Sequence, residues 1–383
     1  MKRSMFLACS VCLAALAAGA ATDVFNVRDF GAKGDGASSD SVAVQKALDA
    51  AAACGGTVYF PVGTYRVHDL KVASGVTLTA HPKWIWQKDP GGAVLSLDKP
   101  DARCVLDITA TYGVRIDGLF IDGGFGGLGH EPVPNARKHY WEWDSKPVHG
   151  ILLDNRKRRE KEDCPVIENV KVQRFSGDGL HMTGIWCFTL RHAQFAFNRG
   201  NGVTMHGCDG YILDCQFSGN GGDGFAAYGS TCGFTACRSE QNGRYGLGVY
   251  NADSWNVTGC SFDRNGFAAI AFDTVRTSTV TGNLLRRAGG GGGKGPEADH
   301  VAVQALLRNC SGVTFTCNTG LVGADDDGKG QTTPDFALLV KDLDCCVVKD
   351  NVFWRGYLKD LLLDQGGHVG GTVLRDNLGS CAR

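Results

Sequence analysis

The 383-residue chain has no excess of charge of either sign, only ten prolines, and a single long apolar run. Its formal net charge is −1. The 39 basic residues fall to 37 once Lys2 and Arg3 are set aside, against 40 acidic ones, so no electrostatic footprint for nucleic acid is present. The one apolar run, Met5 to about Ala18, follows Lys2 and Arg3 and ends in small residues through Ala21. That layout predicts a secretory signal peptide over 1–21, cleaved near Ala20 or Ala21. No later stretch approaches the roughly 18 consecutive apolar residues of a membrane span. The expectation is a soluble exported protein, secreted or periplasmic, forming a single domain over 22–383.

Glycine is abundant, with 54 residues, but lacks the triplet period of collagen. Such a load suits many short strands joined by tight turns. Fourteen of the 16 cysteines lie after the signal, and in an exported chain this raises a disulfide framework. None of their spacings has the pattern of a zinc site.

Five consecutive segments repeat: DGLHMTGIWCFTLRHAQFAFNRG (178–200), NGVTMHGCDGYILDCQFSGNGG (201–222), DGFAAYGSTCGFTACRSEQNGR (223–244), YGLGVYNADSWNVTGCSFDRNGF (245–267) and AAIAFDTVRTSTVTGNLLRRAGG (268–290). Each unit holds alternating apolar strands and glycine-rich turns, so a period of 22 or 23 residues predicts one coil of a parallel β-solenoid. Alignment produces columns. Ala193, Cys215, Cys237, Cys260, Asn283 and Cys317 form one inward column, and Phe195, Phe217, Ser239, Phe262 and Leu285 a second. Asn198, Asn220, Asn242 and Asn265 predict an asparagine ladder. The column cysteines are expected as buried thiols packed as small apolar residues. Cys54, Cys104, Cys164, Cys187, Cys208, Cys232, Cys310, Cys345, Cys346 and Cys381 stay open to pairing. Weaker coils extend the solenoid over about 57–380. Ahead of it, SSDSVAVQKALDAAAACGG has helical apolar spacing between a Ser/Asp start and Gly55, and predicts a helix capping the first coil within a cap of about 25–56.

The opening FNVRDFGAKGDGASSDSVAVQKALDAAAACGGTVYFPVGTYRV (25–67), with VRIDGLFIDGG further on, resembles the pectate-lyase-like, or rhamnogalacturonase and epimerase-like, β-helix proteins. The resemblance implies an all-β, single-stranded right-handed parallel β-helix with an N-terminal capping helix, in a secreted protein acting on polysaccharide. That architecture serves hydrolases, lyases, epimerases and binding proteins alike. Of the NTDG, DDC, GHG and RIK motifs of the polygalacturonase branch, none is intact. Asp178 in GDGL and Asp223 in GDGF stand where that branch has aspartates, while His149 in VHGI shares their column but precedes them.

Three outward columns carry the candidate chemistry. The opening column reads His149, Asp178, Asn201, Asp223, Tyr245, Ala268. The next reads Leu152, His181, Thr204, Ala226, Gly248, Ala271, and the third Asp154, Thr183, His206, Tyr228, Tyr250, Asp273. Small residues beside aromatic and ionisable ones predict a shallow groove where sugar rings lie on Tyr228 and Tyr250. His149, Arg244 and Asp154 would add polar contacts. Asp178 and Asp223, two coils apart, would be about 9.5 Å from each other, at the upper end for an inverting glycosidase. Asp273 is a spare carboxylate, and His181 or His206 would serve as base in a lyase or epimerase scheme. Equally, Asp-Gly and Asn-Gly are ordinary turn pairs.

The loop 124–148 offers Tyr140, Trp141 and Trp143 as an aromatic wall, and Glu131, Glu142 or Asp144 as an acid. RKRREKED (156–163) reads as a solvated charged loop, and the glycines at 289–293 lack a P-loop ending. GADDDGKGQ (323–331) is a solvated turn that would be able to take calcium, although the EF-hand spacing is missing. The leading expectation is a glycoside hydrolase working without a cofactor on a polysaccharide, because the central columns carry few basic residues besides Arg244 and Arg276. A uronate lyase or epimerase, the lyase with Ca2+, is the alternative, and a glycan-binding adhesive module the third. Nothing in the sequence fixes monomer or oligomer.

Overall fold

The computed structural model describes residues 23–82, 91–124, 146–157, 162–290, 300–322 and 333–382. The expected signal peptide, Tyr140, Trp141 and Trp143, the acids of their loop, and the 323–331 carboxylate run lie outside the described residues. Among the described residues no helix is long and apolar enough to cross a membrane.

The chain winds as a single-stranded parallel β-helix. Two long sheets, of 21 and 13 described strands, pair only in parallel, each coil bonding to the ones below and above. Register follows the sequence columns: Leu180 pairs with Val203, Val203 with Phe225, and Phe225 with Leu247. These side chains face inward because alternate residues of a strand point to one side. The buried core runs without a break from Val27 to Tyr357. Phe195 and Phe217 stack at 5.9 Å between centroids, and Phe217 and Phe234 at 5.6 Å.

The helix Ser41–Ala52 covers the first coil with Val44, Ala47, Leu48 and Ala51. Its start differs from expectation in one respect. Asp40 makes no side-chain bond to the helix and instead accepts the N–H groups of Lys33 and Gly34, so it ties down the preceding turn.

Two asparagine ladders run along the stack. Asn198, Asn220, Asn242 and Asn265 form the expected one, the first three each donating to the side-chain oxygen of the next at 2.9–3.0 Å. A second continues the cysteine column: Cys260 N–H donates to Asn283, Asn283 to Asn318, and Asn318 to Asn351. Here Asn318, not Cys317, occupies the inward position. Cys317 is exposed and takes a left-handed φ of 56° at the corner. Cys215, Cys237 and Cys260 are buried, as expected, and each thiol donates to a carbonyl two residues back. All fourteen cysteines from Cys54 to Cys381 are free, so the interior holds together by packing and ladders.

Corners are the third regular feature. Cys164, Cys187, Asp209, Thr231 and Ser254 follow one another up a single corner with φ of 44°, 59°, 58°, 57° and 59°. Left-handed backbone at non-glycine residues is costly alone; here the parallel hydrogen bonds on either side fix it in every coil.

The buried amide of Asn220 donates to Phe195 O and Asn242 Oδ1, while its oxygen accepts two bonds from Asn198. Asn220→Ala orphans all these groups and should cost about 2–4 kcal/mol. Asn256→Ala, at an exposed strand position, should stay within about 0.5 kcal/mol; urea unfolding of both variants measures the difference.

Candidate functional site

The three outward columns form as the repeat predicts. Leu152, His181, Thr204, Ala226, Gly248 and Ala271 are in register across adjacent coils, as are Asp154, Thr183, His206 and Tyr228, and Tyr250 with Asp273, while Tyr228 and Tyr250 meet as stacked rings.

The opening column is a ladder of a different kind. His149 Nδ1 accepts Asp178 N–H at 3.0 Å, and Asp178 Oδ1 accepts Asn201 N–H at 2.8 Å. Asn201 Oδ1 accepts Asp223 N–H at 2.7 Å, and Asp223 Oδ1 accepts Tyr245 N–H at 3.2 Å. Each side chain thus satisfies the first N–H of the next coil. The fit is tight: a Cβ on Gly200 would lie 2.3 Å from Asp178 Oδ1.

Only one oxygen of each aspartate serves the turn. Asp178 Oδ2 is 2.8 Å from His181 Nδ1 and 3.9 Å from His149 Nδ1. Because a carboxylate can only accept, His181 carries its proton on Nδ1 and turns a basic Nε2 outward, 3.4 Å from Thr183 Oγ1. His149 lies against His181, ring centroids 4.7 Å apart. With Nδ1 accepting a backbone N–H, His149 is the neutral tautomer protonated on Nε2.

Asp223 has the opposite surroundings. Its Oδ2 accepts the Tyr250 hydroxyl at 2.8 Å, and Arg244 Nε stands 3.7 Å from Oδ1. Arg244 is itself half-buried over the rings of Tyr245 and Phe267. Burial pushes the Asp223 carboxyl up, and Arg244, Tyr250 and the Tyr245 N–H only partly oppose this. Burial also acts upward on Asp178, but the His181 bond, electrostatic interaction with the two imidazoles and the Asn201 N–H outweigh it, leaving that carboxyl below its ordinary value. Neighbouring carboxylates are therefore driven apart. Burial holds His149 and His206 below the usual imidazole value, with His181 adding a repulsive contribution to both.

The groove is shorter than the columns predict. Tyr250 folds over Gly248, where a Cβ would meet its hydroxyl at 2.3 Å, and together with Arg244 it seals Asp223, 1% exposed. The pairing of Asp178 with Asp223 as two solvent-facing carboxylates is thereby lost, and Arg244 is turned toward Asp223. Beyond them Tyr245, Phe267, Ala268, Ala271, Val303, Leu306 and Leu339 close an apolar cluster on the outside of the coils. His206, Tyr228 and Tyr250 stack face to face, at 4.5 and 5.0 Å. Ring faces packed on one another cannot take a sugar face, so Tyr228 presents its edge instead, while the Tyr250 hydroxyl is spent on Asp223. Asp273 is held by Arg308, Asn309 and Thr274, and Asp154 by Arg156, so neither is a free acid. What stays open is the end bearing His149, His181, Thr183, His206 and Tyr228.

Two residues outside the columns complete that end. The positive charge of Arg103 acts on His149, and that of Arg156 acts on His206. Their side chains are mostly exposed. Arg156 belongs to the run read from sequence as a solvated loop; the charge was visible, its position beside the groove was not.

Among the described residues two clusters bring ligand atoms within 4.8 Å of one another: His149, Asp178 and His181, and Glu162, Cys164 and Cys187. Neither is the all-oxygen set that Ca2+ favours. Among the described residues, neither donor set suits calcium.

Residues 144–287 match the family model for the right handed beta helix region, and residues 24–85 match the model described as rhamnogalacturonase A/epimerase, pectate lyase-like. The chain folds as a right-handed parallel β-helix. This β-helix is similar along its length to the A-module of the Azotobacter vinelandii mannuronan C-5 epimerase AlgE6, with TM-score 0.61 and 19% identity, covering 93% of this chain and 99% of that one. It is also similar to PfbA, a surface adhesin of Streptococcus pneumoniae, with TM-score 0.68 and 15% identity, covering 93% and 90%. Sequence likeness is local. The alignment with the Azotobacter vinelandii alginate lyase 7 is 64% identical over 107 residues, 26% of this chain and 12% of that protein. With the mannuronan C5-epimerase AlgE3 it is 61% over 56 residues, 14% and 3%. The matched segments are thus a small part of those relatives.

The lowered Asp178 carboxyl predicts a pH signature. A folded value below the unfolded one, about 3.9, adds stability that is fully present above the unfolded value and lost as pH falls through the folded one. The stability gap between the protein and Asp178→Asn should therefore be constant near neutrality and narrow below about pH 4, as read by denaturant midpoints across pH.

Proposed function

We propose that this β-helix is an extracellular polysaccharide-modifying enzyme that removes the proton beside the carboxylate of a uronate residue, as a lyase or epimerase does. The carrying observation is the clamp on His181: Asp178 Oδ2 holds Nδ1–H at 2.8 Å and leaves Nε2 as an oriented base at the open end of the groove. The names of the relatives fit this chemistry, since mannuronan and alginate are uronate polymers. A glycosidase needs one carboxyl on the leaving oxygen and a second on water, and here Asp223 and Asp273 are both engaged.

In this reading the polymer binds on the coils from His149 to Tyr228, its carboxylates facing Arg103 and an Arg156 that turns to them from Asp154. His181 Nε2 takes the proton at carbon 5, and Asp178 stabilises the imidazolium that forms. The electron pair left behind moves toward the carboxyl group, whose charge the two arginines balance. Elimination then expels the oxygen at carbon 4, while reprotonation from the other face gives the epimer. The Tyr228 hydroxyl, on the middle ring of the aromatic stack and partly exposed, is the donor in either case in this reading.

The test is a panel of mannuronan, guluronan, polygalacturonate and neutral glucan, followed by unsaturated-uronate absorbance, reducing ends and stereochemistry. Unsaturation or inversion on a uronate is the expected outcome, with His181→Gln lowering kcat by about 10²–10⁴-fold and Arg156→Gln acting mainly on KM. Reducing ends from neutral glucan without unsaturation would instead make it a hydrolase. Binding without turnover across the panel would leave an adhesive module.

A further inference from the structure

One corner of the solenoid carries a second cluster that the groove does not use. Val166 pairs with Thr189 in the next coil, so Cys164 and Cys187, each two residues earlier, stand one above the other. Both adopt left-handed φ, 44° and 59°, which turns their side chains out at the corner. Glu162 reaches the same point, its Oε2 3.7 Å from Cys164 Sγ. The two sulfurs and the carboxylate lie within 4.8 Å of one another, with Glu162 and Cys164 exposed and Cys187 half-buried. The next coil adds the half-buried Cys208, opposite Trp186, and Asp209, whose carboxylate accepts the Trp186 indole N–H at 2.7 Å.

We propose that Glu162, Cys164 and Cys187 form a binding site for a thiophilic divalent cation of the zinc type, separate from the groove. Two thiolates and a carboxylate converging at a solvent-facing corner are a donor set for Zn2+ or Co2+ and not for Ca2+ or Mg2+. Metal binding displaces the two thiol protons to solvent, and no redox partner is needed. A disulfide is the competing use of the pair, but residues stacked in register on parallel coils hold their Cβ atoms about 4.8 Å apart, beyond the roughly 3.8 Å mean of disulfides. A bridge would also leave Glu162 without a role. The strand Leu180–Arg191 carries Cys187 at its bend and His181 near its start, so an ion at the corner would brace the strand that positions the base.

The site escapes a search for local cysteine motifs. Cys164 and Cys187 are one full coil apart in sequence, and the solenoid alone brings them together.

The test uses the full chain, reduced, freed of reductant without air, and titrated with Co2+. A single equivalent should bind with a thiolate-to-metal absorption band. Cys164→Ser and Cys187→Ser should each abolish the band, Glu162→Gln should weaken binding roughly tenfold or more, and His181→Gln should keep it, since the groove cluster is not involved. The proposal is overturned if reduced protein gives no band, if the double serine variant keeps it, or if His181→Gln loses it. It is equally overturned if protein isolated without reductant carries a Cys164 to Cys187 disulfide and its reduced form ignores Co2+.

Discussion

The first N–H of each central coil is caught by a side chain from the coil beneath it. His149, Asp178, Asn201 and Asp223 form that ladder, and the register of everything outward of it depends on these four bonds. A slip of one residue would turn every outward side chain inward. Two asparagine ladders repeat the device at other corners, and the aromatic core fills the space between. Stability and site geometry thus rest on the same kind of bond, a side-chain acceptor meeting a backbone donor one coil away.

The ladder also resolves what an Asp-Gly turn is for in this protein. Asp178 serves the turn with one oxygen and His181 with the other, and no choice between structural and chemical duty arises. At Asp223, two coils on, the same division of oxygens leads elsewhere. Tyr250 and Arg244 close over it, the carboxyl rises, and the groove ends. The contrast comes from the next column: His181 stands over the first aspartate, whereas Ala226 and Gly248 leave room for a tyrosine to fold back over the second.

Much of this was legible beforehand because a parallel solenoid converts sequence period directly into space. The outward columns, the phenylalanine column and the first asparagine ladder follow from a spacing of 22 or 23 residues. Phasing failed where coil length changes: the insert before Val303 obscured the step from Asn283 to Asn318, so Cys317 was placed one residue off. Side-chain direction was the second gap. Alternation says that Tyr228 and Tyr250 point out, not that their faces stack on each other. Nor does it say that Asp273 meets Arg308 in the next coil or that Arg156 lies beside the groove. The third gap was pairing between coils outside the aligned columns, which hid Cys164 beside Cys187.

The central claim is that His181 removes a carbon-bound proton. Proton NMR of a uronate polymer turned over in D2O tests it most directly. The account predicts that the carbon-5 proton is lost to solvent, leaving either deuterium in the inverted residue or unsaturation between carbons 4 and 5, and that His181→Gln stops the loss. Cleavage with the carbon-5 proton fully retained, and solvent oxygen entering the new reducing end, would contradict it.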